Sequence, residues 1–106
     1  MTKLNIKNRL DIGGIIPRKI DDDFNISDLF LSRDIEAKIK LTQEEVLDCD
    51  VQYADGKINW NKDLISEIEF KDTEIALIKK SFDLCIQKKH FTIEMLSTYE
   101  MFCELG

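Results

Sequence analysis

The sequence predicts a small, mostly helical α+β domain of about five helices, with one β-hairpin and a third short strand. Three observations carry this. Apolar residues recur at helical spacing over most of the chain, helix-start signals appear at three places, and around Asp55-Gly56 the period drops from 3.6 to 2. With 106 residues there is enough chain for one core and too little for two, so residues 1–106 form one compact domain. The chain is 43% hydrophobic with one Pro and four Gly, which argues against a disordered or low-complexity sequence.

Ile6 and Leu10 lie one helical turn apart and predict a first helix over about 3–12, stopped by Gly13-Gly14 and Pro17. The acidic segment RKIDDDF follows. Asn25 with Asp28 at the third helical position, and Phe24 packing on Leu29, then open a second helix over about 26–39, with Ile26, Leu29, Phe30 and Ala37 forming its apolar face. Thr42 with Glu45, and Leu41 with Val46, open a short third helix that ends near Asp48.

Val51, Tyr53, Ile58 and Trp60 alternate with polar residues about Asp55-Gly56, a dipeptide suited to a two-residue hairpin turn. That turn sets Tyr53 opposite Ile58 and Val51 opposite Trp60, so the four share one face. A hairpin alone is marginal, and this face is expected to lie on helices. Ile68 and Phe70 extend the sheet as the third strand. Asp72-Thr73 opens the longest helix, carrying Ile75, Ile78, Phe82, Cys85 and Ile86 and ending near Lys88-Lys89-His90, with charges at both ends that suit the helix dipole. A last helix starts at Thr92, with Phe91 on Leu96, and buries Leu96, Tyr99, Phe102 and Cys103.

The formal charge is -6, and the halves 1–53 and 54–106 each carry -3. There is no basic tail or arm to hold a phosphate backbone, so no nucleic-acid partner is expected. The order helix, helix, short helix, hairpin matches a winged helix-turn-helix, which makes a winged-helix regulator a further reading. Yet residues 41–56, which include the element that would enter the major groove, hold Glu44, Glu45, Asp48, Asp50 and Asp55 and no base. Such a face repels phosphates.

No catalytic, cofactor or metal residues emerge, and the chain is expected not to be an enzyme. Cys49, Cys85 and Cys103 are an odd, widely spaced set beside a single His, read as three buried, reduced thiols. Cys85 and His90 are five residues apart on one helix, about 140° around its axis, so they do not form a nucleophile and base pair. His90 is instead expected to cap the helix end. Asp21, Asp23 and Asn25 have the spacing of a calcium loop's first ligands, but Ile26 and Ser32 occupy its sixth and twelfth positions, leaving turn and cap roles. The polar start MTKLNIKNRL lacks a signal peptide's apolar run, and no stretch approaches the ~20 apolar residues of a membrane span. A soluble, intracellular protein is expected.

Taken in order, LNIKNRL, IIPRK, LTQEEV, DGKINWN, EIEF and LSTYEMF resemble segments of small uncharacterised proteins of tailed bacteriophages and prophages, over most of the chain. The resemblance carries no site residues. It implies action in the bacterial host cytoplasm or within a virion, through a protein partner or self-association, as a virion component or assembly accessory. An acidic inhibitor of a host defence protein or nuclease is the alternative. The surfaces to look at are the acidic segment 41–56 and the side of the last helix around Glu94, Tyr99 and Met101.

Overall fold

The computed structural model describes residues 2–105, and the α+β class holds: five helices, 56% helical in all, with two small antiparallel sheets. In chain order the elements are β1 (Thr2–Leu4), α1 (Ile6–Ile15), α2 (Ile26–Ile39), α3 (Gln43–Asp48), β2 (Gln52–Ala54), β3 (Lys57–Asn59), β4 (Ser66–Ile68), α4 (Asp72–Gln87), a 3-10 turn (Ile93–Met95) and α5 (Leu96–Leu105).

The N-terminus differs from the sequence expectation. Thr2–Leu4 is a strand and α1 begins only at Ile6, because Asn5 caps it: the Asn5 and Asn8 side chains each accept the other's backbone N–H. Gly13-Gly14 does not stop this helix, which runs on to Ile15. The stop is Pro17, which forces Ile16 into extended backbone at ψ 148. The third strand also falls elsewhere. Ser66–Ile68 does not extend the hairpin; it pairs with β1, setting Lys3 opposite Glu67, while Phe70 lies beyond the strand. A pairing across more than sixty residues leaves no local signature.

The starts of α2, α3 and α4 are where the spacing placed them. Asn25 with Asp28 and Thr42 with Glu45 form complete reciprocal caps, and α2 and α3 have the predicted bounds. At α4 the cap comes from Glu74, whose carboxylate accepts the Lys71 N–H at 2.7 Å and Lys38 Nζ at 2.5 Å while fully buried. Thr92 makes no side-chain cap; a 3-10 turn leads into α5 instead. The calcium-like triplet does turn and cap work: Asp21 Oδ1 accepts the N–H groups of Asp23 and Phe24, and Asn25 caps α2.

The core collects Leu4, Ile12, Ile16, Phe24, Ile35, Ile39, Ile68, Phe70, Leu77, Ile78, Phe82 and Phe102, with α4 packed against α1, α2 and α5. Phe82 meets Phe91, Tyr99 and Phe102 at centroid distances of 5.7 to 6.5 Å, joining α4 to α5 by tilted and edge-on ring contacts. On the other side of α5, Thr98 Oγ1 accepts from Asn8 Nδ2 at 2.7 Å and donates to Asp11 Oδ2 at 2.8 Å, so the polar groups buried between α1 and α5 are paired.

Three apolar faces are rotated from their expected positions. On α2 the buried residues are Ser32, Ile35 and Ile39, while Ile26 and Phe30 are more than half exposed and Ala37 faces solvent. The helix carries two apolar stripes, and the one containing Ile35 and Ile39 meets the other helices. Phe30 is left with the Arg33 guanidinium over its ring, 5.2 Å from the centroid. On α4 the buried positions are Glu74, Leu77, Ile78, Ser81 and Phe82, with Ile75 and Cys85 half-buried and Ile86 exposed. On α5 Thr98 and Phe102 are buried and Tyr99 half-buried, but Leu96 and Cys103 face out. The thiols follow suit: all are free, but only Cys49 is buried, Cys85 being half-buried and Cys103 exposed.

Candidate interaction surface

From Asp50 to Glu67 no residue is buried. That stretch includes Val51, Tyr53, Ile58, Trp60, Leu64 and Ile65, side chains that cores normally take up. The hairpin is the reason. Asp55 and Gly56 both adopt positive φ, 56° and 74°, the pattern of the tight turn that matches strand twist, and Tyr53 stands opposite Ile58 as the spacing predicts. The face these residues share does not lie on helices, however. β2 and β3 contact chiefly each other; Val51 and Trp60 at the base are half-buried, whereas Tyr53 is 74% exposed. The Cα radius of gyration of 13.9 Å slightly exceeds the ~13 Å of a compact chain this long, in keeping with a projecting hairpin.

The hairpin joins α3 through a polar hinge. Asp50 takes φ 52° just past α3, where the Val51 N–H closes the helix on the Val46 carbonyl, and its carboxylate accepts from Gln52 Nε2 and Asn61 Nδ2 on the two sides of the hairpin. The Asn61 N–H adds a bond to the carbonyl of buried Cys49. On α3 itself Leu47 is 73% exposed.

The five acids of 41–56 are not equivalent. Glu45 is structural. Its two oxygens receive both terminal nitrogens of Arg9 at 2.9 and 3.1 Å, and Oε1 also accepts the Thr42 N–H. The Arg9 guanidinium, only 4% exposed, holds the Glu45 carboxyl at a pKa of about 2. Asp50 is occupied in the hinge. Glu44, Asp48 and Asp55 are exposed, so α3 and the hairpin present these three acids against one base, Lys57, beside the apolar Leu47, Tyr53 and Ile58. Spacing set Glu45 apart only as the partner of Thr42 in the cap of α3; its ion pair left no local signal, because Arg9 lies 36 residues before it. The exposed apolar residues were visible in sequence as the hairpin's one apolar face, but that pattern points to burial on helices and does not foretell their exposure.

The second surface named from sequence is not one face. Glu94 is exposed and its carbonyl accepts Lys7 Nζ, but Tyr99 packs on Phe82 and Phe91, and Met101 is half-buried against the core. The outer side of this region instead carries Ile93 and Leu96, 82% and 41% exposed.

Cys85 and His90 line one hollow of about 310 Å³, which the helical wheel did not foresee. The helix has already ended. Lys89 takes φ 63° and the His90 N–H donates to the Cys85 carbonyl at 2.9 Å, folding the chain back. It is thus the His90 backbone that closes α4. Burial raises the Cys85 thiol pKa, the reverse of what activates a nucleophile.

Among the described residues no helix is long and apolar enough to cross a membrane. No family model, curated protein or solved structure matches the chain.

Proposed function

We propose that this chain is a non-enzymatic phage protein that works through protein contacts, as a virion component or assembly accessory, and that the projection formed by α3 and the hairpin is its contact surface. The observation that carries the reading is the run from Asp50 to Glu67 without a buried residue, in which Tyr53 and Ile58 form an exposed cross-strand pair. Exposed apolar side chains rimmed by charge are what a docking surface offers a partner. The phage setting rests on the sequence resemblance.

The acids beside those residues favour a partner with a basic surface, since complementary charge speeds encounter and like charge disfavours both duplex DNA and a second copy of the same face. This also supports the second reading, an acidic inhibitor that occupies the basic cleft of a host nuclease. Mass spectrometry of purified virions and assembly intermediates separates the two. Under the first reading the protein is present in one of them; under the second it is absent from both and co-purifies with a host protein, in a complex weakened by salt and lost in the variant Glu44→Gln/Asp48→Asn/Asp55→Asn. A partner complex indifferent to both Tyr53→Ser/Ile58→Ser and the acid variant would sink the assignment of this surface.

A further inference from the structure

A second hollow of about 310 Å³ opens between α1 and the end of α2, and its charge runs against that of the chain. Leu10, Ile39 and Leu41 supply apolar lining, and its charged residues are three bases, Arg9, Arg18 and Lys40, against one acid, Glu36. In a protein of net charge -6 such a set is unexpected. Arg9 is spoken for, because its charge is matched by Glu45 and its Nε and Nη2 donate to the carbonyls of Ile39 and Lys40 at 2.8 and 2.7 Å.

The other two bases are available. Arg18 spans from α1 to α2: Nη2 donates to the Gly13 carbonyl at 2.8 Å and Nη1 to Glu36 Oε2 at 3.2 Å, with both charged side chains more than half exposed. An ion pair so exposed is worth little and exchanges readily. Lys40 is exposed and has no ion-pair partner among the described residues. The volume lies at the lower end of the ~300–1,000 Å³ range of small-molecule pockets, which typically combine apolar walls with a few polar groups that fix orientation.

We infer that this hollow binds a small apolar monocarboxylate, with its hydrocarbon body against Leu10, Ile39 and Leu41 and its carboxylate between Arg18 and Lys40. The planar Arg18 fork suits a carboxylate, which takes the place Glu36 holds in the free protein. An uncharged analogue of the same shape keeps the apolar contact and loses the charge-assisted bonds.

The test is an NMR titration of the full chain with octanoate and, separately, with octanamide. Octanoate is expected to give saturable shifts centred on Leu10, Ile39 and Leu41, with octanamide about tenfold weaker or worse, the ratio set by one charge-assisted bond. Arg18→Gln and Lys40→Gln should each weaken octanoate by a similar factor with the circular dichroism spectrum unchanged. The absence of saturable shifts with octanoate, equal binding of octanamide, or undiminished binding by both variants overturns the proposal. The comparison of the two ligands on the unaltered chain stands even if a variant fails to fold.

Discussion

Glu45 reports how firmly α3 is locked to the body of the protein. Its carboxyl is held at a pKa of about 2 against an ordinary 4.5, chiefly by the hydrogen bonds from Arg9 and then by the Thr42 N–H. At ~1.4 kcal/mol per pH unit this corresponds to an upper bound of ~3 kcal/mol of stability. The side chain keeps 21% of its exposure, so solvent screening lowers the contribution to about 2 kcal/mol. Because the folded-state pKa lies below the unfolded one, this stability is fully present above pH ~4.5 and is lost as the pH falls toward 2. Glu45→Gln should therefore cost about 2 kcal/mol at pH 7, read as the urea midpoint by far-ultraviolet circular dichroism, and should flatten the loss of stability between pH 5 and 2. Arg9→Met should cost more, about 3–5 kcal/mol, since it strands a partly buried carboxylate and removes the donors to the Ile39 and Lys40 carbonyls. If Glu45→Gln keeps wild-type stability at pH 7, or loses stability in acid as steeply as wild type, the lock does not work as described.

The remaining expectations concern backbone, core and thiols. Gly14 sits within α1 at negative φ with nothing within 4 Å of an added Cβ, so Gly14→Ala should raise stability by ~0.5–1 kcal/mol, seen as a higher melting temperature. Phe102, fully buried among Phe70, Phe82 and the α5 core contacts, should lose ~3–5 kcal/mol as Phe102→Ala in denaturant titrations, whereas Tyr53→Ser, at a position 74% exposed, should stay within ~0.5 kcal/mol of wild type. In the native protein a thiol reagent should label Cys103 first, Cys85 more slowly because burial raises its pKa, and Cys49 only on unfolding; mass spectrometry of timed aliquots gives the order.

Much of the secondary structure was legible because it is written in local chemistry. The Asn25/Asp28 and Thr42/Glu45 caps satisfy helix-end N–H groups within four residues, and Asp55-Gly56 adopts positive φ without help from afar, so α2, α3 and the hairpin register followed from the chain itself. Gly13-Gly14 misled because glycine permits a helix to end and does not require it, whereas Pro17 forces the end at the residue before it.

What the sequence by itself determined, then, is where α2, α3, α4 and the hairpin turn form and that residues 41–56 are acidic. Which side of each element is buried was decided only by tertiary structure. Both stripes of α2 are apolar enough to bury, and the helix packing takes Ile35 and Ile39 and leaves Ile26 and Phe30 outside. The hairpin's apolar face has the right pattern for a core, yet β1 and β4 pair with one another elsewhere and the hairpin stands uncovered. The same holds for the acids: composition counts Glu44 and Glu45 alike, but Arg9 reaches only Glu45. Burial and ion pairing depend on partners brought from distant parts of the chain, and local periodicity contains no term for them.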